Sequence, residues 1–315
     1  DPGAQSYEHF SAWVDRGGAG PLHYLTDERK EKRRSLKDFY PDFQSSLVFL
    51  FSYASEKKAL DAFYQSEESN GQKIAGYVLG FEGEDYHFRL KSYLEEIAEN
   101  LKKQDSELEV KLAMDVHPVL DRDLAYRAGL GWFGKNSMLI HRKEGSFTII
   151  GSLLLSKKLP NMPSPQLETD HCGQCRACIE SCPTDAIDEK NRQVVASKCI
   201  STYTIELFKE SAPIPGHVER GGGEIFGCDI CQDVCPWNIR LFKNLSLEKE
   251  RLSDSKTEHL MDFFLRRPLK EVIQDIQNMS NRAYKRLLAR TPLERSGKKG
   301  MIKNLNLFKQ KDRDL

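Results

Sequence analysis

Short apolar runs alternate with longer amphipathic ones along the first 160 residues. Residues 46–53 (SLVFLFSY) are uncharged, β-favouring and of the length of a buried strand. Residues 92–103 (SYLEEIAENLKK) space their apolar positions as one helix face, with charges on the other. Residues 111–116 (KLAMDV) predict a second strand ending near Pro118, and residues 120–130 a helix stopped by Gly129 and Gly131. Residues 145–155 (GSFTIIGSLLL) predict a third, buried strand. Alternation of this kind suits an α/β (α+β) domain over residues 1–158. Residues 157–169, rich in proline and polar side chains, form a natural linker into a segment over 159–245. From about Leu247 the residues are helical in type, so a short α-helical region is expected over 246–315.

A chain of 315 residues can bury a substantial core and fits two or three structural units. Lysine plus arginine and aspartate plus glutamate both total 47, but the balance is not local. Between Leu265 and Leu315 fourteen basic residues face five acids, a surplus of nine positive charges. Neither a run of eighteen apolar residues nor a charged-then-apolar leader is found, so a soluble, cytoplasmic monomer without a membrane partner is expected. The first residue is Asp1 rather than Met, and the authentic N-terminus is expected upstream.

All eight cysteines fall between Cys172 and Cys235. Thiols at two-residue spacing in a large chain without a leader point to metal binding in a reducing compartment rather than to disulfides. Cys172-x2-Cys175-x2-Cys178-x3-Cys182-Pro183 is a bacterial ferredoxin run, in which three close thiolates serve one cubane and the fourth serves another. Cys228-x2-Cys231-x3-Cys235-Pro236 has the same ending without its first cysteine, which the isolated Cys199 can supply. The ligand sets are then Cys172, Cys175, Cys178 and Cys235 for one 4Fe-4S cluster, and Cys182, Cys199, Cys228 and Cys231 for the other. The competing reading is a four-thiolate zinc site. Eight ligands with a proline closing each motif fit two cubanes better. Two adjacent clusters form an electron relay, which implies a further redox centre.

No GxGxxG follows a strand and no P-loop is present, which argues against nicotinamide and ATP sites. Asp115-Val116-His117 shares the start of a cobalamin DxHxxG motif but lacks its glycine. The order of motifs nevertheless resembles the epoxyqueuosine reductase family. The resemblance rests on residues 115–129 (DVHPVLDRDLAYRAG), Gly131-Trp132-Phe133-Gly134-Lys135-Asn136, the ferredoxin run, Lys198-Cys199-Ile200-Ser201, and residues 227–236 (GCDICQDVCP). It extends to residues 83–87 (GEDYH), Ser280-Asn281-Arg282 and Gly297-Lys298-Lys299, and so covers nearly the whole chain.

The resemblance implies a cobalamin enzyme, related to reductive dehalogenases, that removes the epoxide oxygen from epoxyqueuosine at the tRNA wobble position. Electrons from an external low-potential donor would pass through the two clusters to cobalamin held without a histidine ligand. Residues 1–158 would then bind cobalamin and substrate. Asp115 falls where the family has its catalytic aspartate, and such an acid must be partly desolvated to hold a proton near neutrality. Read alone, Asp115 is a strand-end residue capping the next helix. The same correspondence assigns Arg33, Asp115, Asn136, Leu139, Ser146, Ile150, Ser201 and Asp229 to the cofactor pocket, with Tyr86 available to the substrate. Around residues 73–85 the chain departs from the family by a short insertion.

A basic surplus near the C-terminus is an electrostatic footprint for a phosphate backbone, although a charged helix face is more often simply solvated. With a whole tRNA as the implied substrate, Arg282, Lys285, Arg286, Arg295, Lys298, Lys299 and Lys303 become candidate contacts. Family members often carry helical repeats here, and this chain stops short of a full set. The alternatives are a cobalamin iron-sulfur reductase of a small molecule and a ferredoxin-type electron carrier. The first lacks a reason for the basic segment, and the second leaves residues 1–158 unexplained.

Overall fold

The structure is a computed structural model and describes residues 2–160, 164–207 and 215–308. In chain order its principal elements begin with α1 (Tyr7–Asp15), β1 (Ser45–Ser52), α2 (Ala54–Tyr64), β2 (Lys73–Ile74) and α3 (Tyr86–Gln104). There follow β3 (Val110–Ala113), α4 (Asp121–Arg127), β4 (Trp132–Phe133), β5 (Leu139–Ile140) and β6 (Thr148–Leu155). The cysteine region contributes β7 (Ile187–Asp188), β8 (Gln193–Val194), β9 (Glu224–Phe226) and the short helix α5 (Ile230–Asp233). The chain continues through α6 (Pro236–Asn244), α7 (Ser255–Phe264), α8 (Leu269–Asn278), α9 (Asn281–Leu287) and α10 (Gly297–Asn306). Of the expected linker, residues 161–163 lie outside the described residues, and the remainder forms no helix or strand. Residues 309–315 of the basic end also lie outside them.

By contact the chain divides into two compact units that interleave in sequence. One comprises Asp1–Ser52, His87–Arg176 and Ile187–Val195, and the other Tyr53–Tyr86, Ala177–Ala186 and Ala196–Leu315.

The first unit is built on a three-stranded sheet of order β1-β6-β3. β6 runs antiparallel to both neighbours, with Ser45 opposite Leu155 on one side and Val110 opposite Leu155 on the other. Helix–strand alternation suggested a layered α/β arrangement; because β6 inserts between the two earlier strands, the pairing is antiparallel and the unit is mixed α and β. Leu153, Leu154 and Leu155 are fully buried, which accounts for an apolar run without alternation. On one face Leu154 packs with Leu36, Tyr40, Phe43, Val119 and Leu124. The opposite face receives α3, whose Leu90, Leu94 and Ala98 recur every four residues and are buried. Gly151 permits that approach, since a Cβ there would fall 3.0 Å from the Leu94 side chain.

Two expected ends shift for local reasons. The strand predicted to Val116 stops at Ala113, because the Met114 N–H donates to His117 Nδ1 (3.1 Å) and the His117 N–H donates to the Met114 carbonyl (2.9 Å). That turn carries Asp115 off the sheet. Helix α4 ends at Arg127 with Gly129 at φ +74°, and the Leu130 N–H donates to the Ala125 carbonyl. A left-handed glycine with this bond is a Schellman end.

The second unit has its own core, in which Leu60, Phe63, Leu79, Phe226, Phe264, Ile276, Tyr284 and Met301 are buried together. Val272, Ile273 and Ile276 form one apolar stripe of α8. A parallel pair, β2 with β9, ties residues 73–74 to the segment entering the second cysteine motif. Gly227 closes that segment at φ +74°, and a Cβ there would stand 2.5 Å from that of Ala75.

One buried polar group of the first unit stands out. Asp121 opens α4, and its Oδ1 is buried without a hydrogen-bond partner among the described residues. Burial and the neighbouring Asp115 push its carboxyl up to about 7, against the opposing pull of Arg122 and Arg33. Between its ordinary value and about 7 the folded chain keeps a proton that the unfolded chain releases, so stability falls as pH rises through that window. Asp121→Asn should therefore match the parent near pH 4 and exceed it at pH 8, by on the order of 2 kcal/mol. Melting curves at the two pH values test this; an equal difference at both would show that the buried carboxyl is not neutral.

Candidate functional site

Asp115 sits on the turn after β3, and its Oδ1 lies 3.0 Å from His87 Nε2 on the first turn of α3. The Asp115 side chain is 51% exposed and that of His87 24%. The Asp115 carboxyl is thus about half exposed, whereas Asp121 is the carboxyl that desolvation pushes up. Nor does Asp115 cap α4, whose start has no side-chain cap. His117 faces inward on the Met114 backbone and packs on Phe39 with ring centroids 5.1 Å apart, so it serves the turn.

Arg33 is buried, with its guanidinium on the carbonyls of Arg29 (2.9 Å) and Tyr24 (3.4 Å) and over the Phe10 ring. It nonetheless shares an electrostatic neighbourhood with Asp121 and, through it, Asp115. Asn136 is buried, and its Oδ1 accepts the Met138 N–H at 3.2 Å, so it builds its own turn. Leu139 on β5 and Ser146 just before β6 are buried, and Ile150 on β6 is half-buried opposite Leu50. Ser201 and Asp229 belong to the second unit. Sequence reasoning gave His87 no role and missed Asp121. For Asp121, the available signal was a second acid six residues after Asp115, at the first position of a helix.

The cysteines divide likewise. Cys172 and Cys175 lie in the first unit, anchored by Asp170 accepting the Cys172 N–H (2.8 Å) and by Lys135 Nζ donating to the Cys175 carbonyl (2.9 Å). Arg192 ties Asp170 to the Phe133 carbonyl, joining these cysteines to the glycine-bounded turn at residues 131–136. Cys182, Cys199, Cys228 and Cys231 all lie in the second unit, together with Cys178 and Cys235. Burial pushes the thiols of Cys199, Cys228 and Cys231 up, and neighbouring sulfurs add to the effect: Cys182 on Cys199, and Cys199 and Cys182 on Cys231. The Ser201 N–H and hydroxyl act on the Cys199 sulfur in the opposite sense, and the Ala186 N–H donates to Cys182 Sγ at 3.3 Å. Cys199, Cys228 and Cys231, whose thiols burial and neighbouring sulfurs hold in the protonated form, ionise more readily when a cation joins them. This donor set fits an iron-sulfur cluster, with N–H groups supplied to its sulfurs.

Asp229, between Cys228 and Cys231, accepts the Gly76 N–H through Oδ2 at 2.7 Å. Burial pushes its carboxyl up to about 7, against the attraction of Lys57.

The basic candidates of the C-terminal segment separate into two groups. Lys298 Nζ donates to the carbonyls of Gln277 (2.9 Å) and Met279 (2.7 Å), closing the end of α8. Lys303 is turned inward onto the carbonyls of Tyr203 (2.6 Å) and Leu207, and burial pulls its ammonium down to about 8. Arg295 faces Glu206 at 3.7 Å. Arg282, Lys285, Arg286 and Lys299 are exposed. Arg286 lines an open groove of about 560 Å³ with Lys256, His259, Met279 and Leu287. Among the described residues no helix is long and apolar enough to cross a membrane.

The family described as "4Fe-4S double cluster binding domain" matches residues 171–238, and "Epoxyqueuosine reductase QueG, DUF1730" matches residues 33–116. An epoxyqueuosine reductase of Cyclobacterium marinum is 39% identical over 228 residues, covering 72% of this chain and 68% of the relative. One from Leadbetterella byssophila is 35% identical over 300 residues, covering 95% and 87%. A crystal structure of an epoxyqueuosine reductase with an epoxyqueuosine-modified tRNA stem loop matches with TM-score 0.69 and 25% identity, over 94% of this chain and 73% of that one. The chain belongs to the epoxyqueuosine reductase family.

Proposed function

We propose that this chain reduces epoxyqueuosine to queuosine in tRNA, in the cytoplasm, using two 4Fe-4S clusters and cobalamin. The observation that carries this reading is the extent of the likeness, which runs over 95% of the chain, together with the double-cluster match over residues 171–238. Removing an epoxide oxygen as water consumes two electrons and two protons and leaves a carbon–carbon double bond. One cluster would be held by Cys172, Cys175, Cys178 and Cys235 and the other by Cys182, Cys199, Cys228 and Cys231, fed by an external low-potential donor.

Residues 1–158 supply the acid and most of the cofactor contacts. Arg33, Asn136, Leu139, Ser146 and Ile150, with Ser201 and Asp229, would hold cobalamin, whose cobalt supplies the strong reductant when bound. The buried Oδ1 of Asp121, which has no hydrogen-bond partner among the described residues, supports the fit, because it leaves a polar position for a corrin amide or water in the electrostatic neighbourhood of Arg33 and Asp115. Asp115 would hand a proton to the oxygen leaving the opened ring. His87, 3.0 Å away, orients that carboxyl and can return its proton. Arg282, Lys285, Arg286 and Lys299 would meet the RNA backbone, and a splayed loop nucleotide would enter the site.

Asp115→Asn keeps the hydrogen bond to His87 but loses the transferable proton, so turnover in a tRNA nucleoside mass assay should fall by about 10²- to 10⁴-fold. Turnover near the parent rate would remove Asp115 from the proton path. Cys199→Ser should lose roughly half of the bound iron and sulfide after anaerobic reconstitution; full iron content would redraw the ligand sets. Arg286→Gln should weaken tRNA binding and reduce the slope of log affinity against log salt by about one. A slope that does not move would leave Arg286 a solvated side chain and favour a small-molecule substrate.

A further inference from the structure

Lysine is almost never fully buried unless it is paired. Lys57, on α2, is only 2% exposed, on the face that also buries Ala54, Leu60 and Phe63. Its stem packs on Gly76, where an added Cβ would fall 2.6 Å from Lys57 Cδ. Its Nζ hydrogen-bonds Asp61 and pairs with Asp233 Oδ1 at 2.6 Å. Gly76 in turn donates its N–H to Asp229. The Lys57 ammonium and the Gly76 amide therefore hold the two carboxylates that alternate with the cysteines in Cys228-Asp229-Ile230-Cys231-Gln232-Asp233-Val234-Cys235. Burial disfavours the ammonium, but Asp229, Asp233 and Asp61 outweigh it, and Lys57 stays charged.

We propose that Lys57 is a positioning residue for electron transfer: a fixed internal cation that sets the cysteine loop and raises the reduction potential of the cluster bound by Cys228 and Cys231. The inference rests on the assignment of those cysteines to a cluster. Reducing a cubane adds one electron and no proton, so the cluster gains a negative charge inside protein of low effective dielectric. A buried cation beside its loop favours that state, whereas Asp229 and Asp233 oppose it. Without Lys57 the loop would carry acidic neighbours and no interior counter-charge.

Potentials of the reconstituted full chain, followed by electron paramagnetic resonance during an anaerobic redox titration, test the proposal. Lys57→Met should make reduction of one cluster less favourable by on the order of tenfold, about 59 mV for a one-electron couple. Lys57→Arg should stay near the parent, Asp233→Asn should shift the same cluster the opposite way, and the charge-balanced double variant Lys57→Met/Asp233→Asn should return towards the parent. A merely structural lysine would not make potential follow net charge. Fully loaded Lys57→Met and Asp233→Asn proteins with unchanged potentials would overturn the proposal. If Lys57→Met does not retain iron, Asp233→Asn decides alone, since an unshifted potential there is equally fatal. Absence of iron and sulfide from the parent would instead refute the cluster assignment.

Discussion

A buried thiol gives up its proton only when a cation takes its place, and the second unit is arranged around that constraint. Cys199, Cys228 and Cys231 are half-buried near one another and near Cys182, and desolvation makes each of the three resist ionisation alone. Iron bound by these thiols would resolve the conflict, and the amides of Ser201 and Ala186 donate to the sulfurs of Cys199 and Cys182 without adding charge of their own. The carboxylates interspersed with these cysteines would make matters worse. A lysine and an amide from α2 and the following loop take them up. Ligand chemistry and core packing are thereby coupled, because the same helix that carries Lys57 contributes Leu60 and Phe63 to the apolar core.

The first unit solves a different problem, which is to hold an acid at the edge of a rigid sheet. β6 is buried on both faces and clamped between β1 and β3. The strand ends early because His117 captures the Met114 backbone, and Asp115 therefore stands on a turn, within reach of His87 on α3. An exposed carboxylate held by an imidazole can exchange protons readily. A second one, Asp121, opens α4 with its Oδ1 buried, and desolvation shifts it toward its neutral form at a cost to stability. Such a cost without structural return is characteristic of a group retained for what it faces.

The basic end illustrates why a charge count is not an interface. Lys298 and Lys303 satisfy backbone carbonyls that the ends of α8 and of the segment around residues 202–206 leave open. Arg282, Lys285 and Arg286 lie on α9, whose outer face points to solvent. Helix termini need donors, and a long flexible lysine is the nearest one.

Much of this was legible in the sequence, for reasons of locality. The runs at 46–53, 92–103 and 145–155 became β1, α3 and β6, because apolar spacing within a segment decides its periodicity. Cysteine spacing together with the closing prolines pointed to two clusters, since each motif places two or three thiols within a few residues. Non-local pairings decided the rest. Only the tertiary structure could insert β6 between β1 and β3, bring residues 53–86 into the unit of the C-terminal helices, or bury Lys57 beside Asp229 and Asp233, far along the chain. Burial separated Asp121 from Asp115 and turned Lys303 inward. Burial depends on everything that surrounds a side chain, and no window of sequence contains that.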